Sequence, residues 1–168
     1  AFGPSTAVVT RTADNDGMIA DSAIYVERLE AAGVELLAVV DTFADDTDMS
    51  GPATQVIAEN PDIVFTGQLG NTEVLMIAEL RDRGYDGPIV GNLALAPQSI
   101  FEQAGDTLLG TVFPLAYFPG NPASASQHFT ELWNANQDVE PDIFAAQGYM
   151  AVWMLLNGIK AADSYDRA

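Results

Sequence analysis

The sequence predicts an α/β fold: a doubly wound, parallel, five-stranded sheet followed by two helices. Three observations support it. Short apolar runs at residues 6–10, 63–66 and 88–92 are each too short to be core helices. The runs lead into turn residues: Thr-Ala-Asp-Asn-Asp-Gly at 12–17, Gly-Gln-Leu-Gly-Asn at 67–71 and Leu-Ala-Leu-Ala-Pro at 93–97. A helical pattern follows each turn, and strands that alternate with helices build βαβ units and a parallel sheet. Right-handed crossovers between such strands give the spatial order 2-1-3-4-5, with helices on both faces.

The elements follow in order. Strand one covers about 6–10. A helix over 18–32 sets Ile19, Ala23, Val26 and Leu29 along one face, and Gly33 stops it. Strand two, 34–40, runs into an acidic loop from Asp41 to Asp48. A helix over 51–59 stops at Asn60-Pro61, and strand three is 63–66. The next helix, 72–83, buries Val74, Ile77, Ala78 and Leu80 and ends at Gly84. Strand four is 89–91, a short helix spans 97–104, and strand five is 110–113. The character changes at Pro114, and Pro119-Gly-Asn-Pro122 reads as a linker-like turn. Two helices follow, 124–136 and 142–162. The last carries Tyr149, Val152, Trp153, Leu155, Leu156 and Ile159, so it is apolar on most sides and needs partners on several sides. The expected division is an α/β ligand-binding lobe over 1–118 and a helical segment over 119–168.

Composition narrows the function classes. A chain of 168 residues with 48% apolar content buries a substantial core. No stretch has the roughly 18 apolar residues of a membrane span. Twenty-four acidic residues stand against six basic ones, for a net charge of −18. Such a surface repels nucleic acid and anionic membranes. It stays solvated in concentrated salt; a coding bias that favours Asp and replaces Lys with Arg gives the same composition. Without cysteine there are no disulfides and no thiolate metal sites, a pattern common in exported bacterial proteins. The start lacks the basic and apolar segments of a signal peptide. A chain that opens almost directly on a strand reads as a piece of a longer protein.

In open parallel sheets, ligands bind beyond the carboxyl ends of the strands. The candidate loops are therefore 14–18, 68–71 and 92–94. The Gln68-Leu69-Gly70-Asn71 stretch opens a helix, where backbone N–H groups and the helix dipole favour an anion. The plain structural reading is a tight turn that uses the backbone freedom of Gly70. Asn92 ends strand four, where its amide either faces a ligand or caps a turn. The Asp14-Asn-Asp16-Gly17 run has the start of a calcium loop, but Gly falls at loop position four and Tyr25 at position twelve. The calcium pattern needs Gly at six and a bidentate acid at twelve, so no metal is expected. Asp41, Asp45, Asp46 and Asp48 read as a solvated loop. His128, the sole histidine, reads as a surface helix position, and Trp133, Tyr149 and Trp153 as packing groups. With no Gly-x-Ser-x-Gly elbow, no phosphate loop and no acid–histidine constellation, neither enzyme chemistry nor a cofactor is expected.

The residues also resemble a family. Ala13-Asp-Asn-Asp-Gly17 resembles the turn after the first lobe strand of type I periplasmic binding proteins. Thr47-Asp-Met-Ser50 with Gln55-Val-Ile, then Asn60-Pro-Asp-Ile-Val-Phe65, then Ala78-Glu-Leu-Arg-Asp-Arg-Gly84 resemble its next stretches. Gln103-Ala-Gly-Asp106 with Gly110, and the succession Phe129, Trp133, Pro141 and Tyr149-Met-Ala151, complete the series. The similarity runs along nearly the whole chain, in order. It is greatest to the leucine/isoleucine/valine-binding proteins of ABC importers.

That resemblance implies two α/β lobes hinged by crossing strands, with a small-molecule ligand trapped between them. This chain would be the second lobe plus the two helices that return to the first. Its site residues would be Asp16, Gln68, Leu69, Gly70, Asn71, Asn92 and Leu93. Asp16, and the pair Leu69 and Gly70, stand where the family often places aromatic rings over the ligand. Leu93 stands near where the family often places an acid that holds the ligand ammonium. These departures leave an amino acid's ammonium needing a counter-charge, which Asp16 would supply. An amino acid, an amide or a small carboxylic acid are the expected ligands, and an ABC permease the expected partner, in the periplasm or outside the cell. The alternative is a ligand-sensing domain of a receptor or regulator with the same fold. The last helix is expected to fold back on the sheet or to pair with another copy in a homodimer.

Overall fold

Strand β1 (Thr6–Thr12) is the centre from which the sheet is built. In the computed structural model, which describes residues 3–165, it pairs in parallel with β2 (Glu35–Thr42) on one side and β3 (Ile63–Gly67) on the other. Beyond β3 come two short strands, β4 (Ile89–Val90) and β5 (Thr111–Val112). The order is β2-β1-β3-β4-β5, all parallel, as the sequence predicts. Side chains alternate across a strand. Val8 therefore joins a core with Val40, Val56, Val64, Met76, Ile77 and Leu80. Its neighbours Ala7 and Val9 join the opposite core with Leu29 and Ile63. Both faces are covered, which is why these strands read as continuous apolar runs.

Helix α1 (Asp16–Ala31) covers the second of these faces. Helices α2 (Ser50–Glu59), α3 (Gly70–Asp82) and α4 (Gln98–Ala104) contribute to the first. Strand β1 runs two residues beyond the expected end, because Arg11 and Thr12 pair with Asp41 and Thr42 of β2. The helix after it starts at Asp16 rather than 18, because the Asn15 side chain caps it through Met18 N–H at 3.1 Å. Its buried residues are Ser22 and Leu29, while Ala23, expected on the inner face, is exposed.

The chain divides into two compact units, one ending at Pro114 and the other beginning at Leu115. The first two and last three residues of the expected domains lie outside the described residues. The second unit holds α5 (Ser124–Asn134) and α6 (Ile143–Ala162). Phe129 is its packing centre, with Tyr117, Tyr149 and Trp133 rings at 5.2, 5.1 and 5.9 Å. Trp133 and Tyr149 thus pack as expected, whereas Trp153 is 57% exposed. None of the described helices is long and apolar enough to cross a membrane.

Candidate functional site

Three loops leave the carboxyl ends of β1, β3 and β4, and the side chains behind them form one buried polar cluster. On the first loop, Asn15 Oδ1 accepts from Met18 N–H, and Asp14 Oδ1 accepts from Ala44 N–H at 3.0 Å. The second hydrogen bond ties this loop to the chain leaving β2. Asp16 is exposed in the first turn of α1.

The second loop begins with Gln68, which is fully buried. Its Oε1 accepts from Thr10 Oγ1 at 3.0 Å, while its Nε2 has no partner. Leu69 and Gly70 are half-buried and Asn71 is exposed. Helix α3 opens here without a side-chain cap, leaving first-turn amides to water or to a ligand. Gly70 does not have the left-handed backbone suggested by its sequence context. Its requirement is space: a Cβ there would sit 3.2 Å from Ile100 Cδ1 and 3.3 Å from the Ala94 carbonyl.

Asn92 on the third loop is buried and is the joint of the site. Its Nδ2 donates to the Gln68 carbonyl at 2.8 Å and lies 3.5 Å from Met18 Sδ. Its Oδ1 accepts from Ala94 N–H at 2.6 Å and caps the 3-10 turn Leu93–Leu95. Its side chain therefore touches all three loops and is spent on holding them. Leu93 is half-buried beside it.

Glu73 belongs to this cluster and was not among the expected site residues. It lies in the first turn of α3, fully buried. Its Oε1 accepts from Thr66 Oγ1 at 2.7 Å and from Asn92 N–H at 3.0 Å, while Oε2 has no partner. Burial pushes its carboxyl up to about 8; the two hydrogen bonds act against that and Asp21 adds to it. Tyr25, on α1, is pushed up to about 12 by burial and by Asp21 and Glu73. Glu73, Met76, Ile77 and Leu80 form the inner stripe of α3; of the expected inner face, Ile77 and Leu80 are fully buried and Val74 and Ala78 half-buried. The i, i+3, i+4, i+7 spacing of these four was the available signal.

Elsewhere the acids are used locally. Asp41 pairs with Arg11 at 2.7 Å, Asp46 accepts from Phe43 N–H and Asp48 from Ser50 N–H. Among the described residues no three His, Cys, Asp or Glu side chains gather to hold a metal. The second unit contains an apolar cleft of about 320 Å³ lined by Tyr117, Ser126, His128, Phe129, Tyr149 and Trp153. None of its lining residues comes from the three loops.

The sequence profile of a family described as periplasmic binding protein matches residues 3–168. No curated protein sequence matches. Among solved structures, the chain is similar to the leucine-binding protein LivK of Thermotoga maritima. The identity is 23% and the TM-score 0.88, over 98% of this chain and 47% of that one. It is also similar to LivJ of Streptococcus pneumoniae, a branched-chain amino acid transporter substrate-binding protein solved with isoleucine. There the identity is 21% and the TM-score 0.78, over 94% of this chain and 45% of the other. An ABC transporter substrate-binding protein from Sphaerobacter thermophilus gives 22% and 0.79, over 90% and 42%. The chain spans less than half the length of each of these structures.

Proposed function

The chain belongs to the periplasmic binding protein family, and from that premise we propose that it supplies one lobe of an extracytoplasmic solute-binding protein serving an ABC importer. The ligand is a small polar molecule (an amino acid, an amide or a small carboxylic acid) held between this lobe and another. The observation that carries the reading is Asn92, whose side chain joins the three loops at the carboxyl ends of β1, β3 and β4. A ligand reaching that rim would meet exposed Asp16 and Asn71, half-buried Leu69, Gly70 and Leu93, and the uncapped amides of α3. Asp16 offers a counter-charge to an ammonium, the amides N–H donors to a carboxylate, and the leucines an apolar wall. Gln68 and Asn92 act behind the rim. Binding, not turnover, is the proposed activity, and an ABC permease is the proposed partner. One lobe gives only part of the contact area and leaves the ligand wet, so this chain alone binds weakly.

The test is calorimetry on this chain joined to a complementary first lobe, with L-leucine, L-isoleucine, urea and benzoate as probes. Gln68→Ala, Asn71→Ala and Asn92→Ala should each weaken binding of whichever probe binds. Asn71 is exposed, so its replacement reports on contact rather than on folding. Unchanged affinity in all three variants would reject the site.

A further inference from the structure

The rim loops need something to fix their spacing, and the structure offers one group for it. Glu73 is the buried acid of the cluster, and among the described residues it forms no ion pair. Its Oε1 reaches the end of β3 through Thr66 Oγ1 and the exit of β4 through Asn92 N–H. Asn92 in turn holds the Gln68 carbonyl and Ala94 N–H. The backbone is shaped for this approach: a Cβ on Gly91 would lie 2.9 Å from Glu73 Oε1 and would collide with Leu95 Cδ1. Oε2 meets no donor that would hold a negative charge.

We propose that Glu73 is the positioning residue of the ligand cleft. Its Oε1 bridge sets the spacing of the 68–71 and 92–94 loops, and a change in its protonation shifts that spacing. The inference rests on the proposed binding site for its functional meaning, but the bridge itself is a property of this chain. A neutral carboxyl accepts two hydrogen bonds at Oε1 without a counter-ion. An ionised one leaves charge on Oε2 in a site that lacks a donor, and it must recruit water. The titratable groups facing it are Asp21 and Tyr25, both on α1. β3 and the β4 exit present Thr66 and Asn92, which do not titrate. Asp21 is negative and opposes a second negative charge, so it reinforces the neutral form, while Tyr25 is itself neutral where Glu73 titrates.

The experiment uses the 168-residue chain, labelled with ¹⁵N and ¹³C, with no ligand added. The Asn92 and Ala94 amide resonances should shift together with the Glu73 carboxyl carbon as pH rises through the same midpoint. Glu73→Gln keeps an acceptor at Oε1 and has no proton to lose. It should hold the two amides in place and flatten their titration. Glu73→Ala should lower their hydrogen-exchange protection at least tenfold, while Val8 and Val9 in the central strand keep theirs. A flat Asn92 response in the native chain, or the same response in Glu73→Gln, overturns the proposal. If Glu73→Ala does not fold, the native and Gln titrations decide alone. Calorimetry with L-isoleucine on the two-lobed protein addresses the binding role separately. A failure there, with the Asn92 titration intact, removes the proposed function and leaves the bridge standing.

Discussion

At the scale of single residues, the molecule keeps a carboxyl where a carboxylate is costly. Glu73 has an ordinary value of 4.5 and is pushed up to about 8 by burial. Between those values the unfolded chain has released this proton and the folded chain retains it. Unfolding then releases a proton, so stability falls as pH rises from about 4.5 to about 8 and levels off above. Glu73→Gln has no such slope. Its stability relative to the native chain should move in its favour by about 4 kcal/mol between pH 4 and pH 9. Chemical melts of both proteins at the two pH values give this difference and cancel the contribution of the other acids. A constant gap would mean that the site is wet. The sequence made Gln68, Asn92 and their loops legible, because strand ends are marked by turn residues. It hid Glu73, because an acid in the first turn of a helix reads as a dipole partner facing water. What changes its role is tertiary: Thr66 and the Asn92 N–H arrive from other strands.

At the scale of elements, the alternation of strands and helices was legible almost to the residue, and the inner faces of the helices were legible in part. The expected inner face of α1 was Ile19, Ala23, Val26 and Leu29. Leu29 is buried and Ile19 and Val26 half-buried, as expected, while Ala23 is exposed; buried Ser22 and half-buried Met18 and Tyr25 were not on that face. Ser22 escapes an apolar count, yet its Oγ donates to the Ile19 carbonyl at 3.0 Å, so its helix satisfies it without water. Apolar Ile24, by contrast, is 54% exposed. The two positions make a direct comparison. Leu29→Ala should cost about 2–4 kcal/mol through the cavity it leaves, whereas Ile24→Ala should stay within about 0.5 kcal/mol. Urea midpoints of the two variants measure this, and equal losses would mean that α1 is rotated from the orientation described. In helix α3 the expected Ile77 and Leu80 are fully buried, and Met76 and Glu73, which were not expected there, are buried with them.

For the whole molecule, two features pull against each other: a net charge of −18 and an apolar helix in the second unit. On α6, Phe144, Met150, Val152, Trp153, Met154, Leu155 and Leu156 are each half or more exposed. Contiguous apolar surface of that kind marks an interface. In a two-lobed protein the other lobe would cover it, and in the isolated chain a second copy is the available cover. Two copies each carrying −18 repel strongly while their fields reach across the contact. The screening length is about 30 Å at 0.01 M salt and about 3 Å at 1 M, so the repulsion fades while apolar attraction remains. The isolated chain should therefore sediment as a monomer at about 0.01 M salt and shift towards dimer at about 1 M. Leu155→Glu, within the exposed stretch, should hold it monomeric at both. A chain that stays monomeric at both salt levels without the substitution would show that the helix needs no cover. A dimer that weakens as salt rises would show that charge pairing, rather than α6, joins the copies.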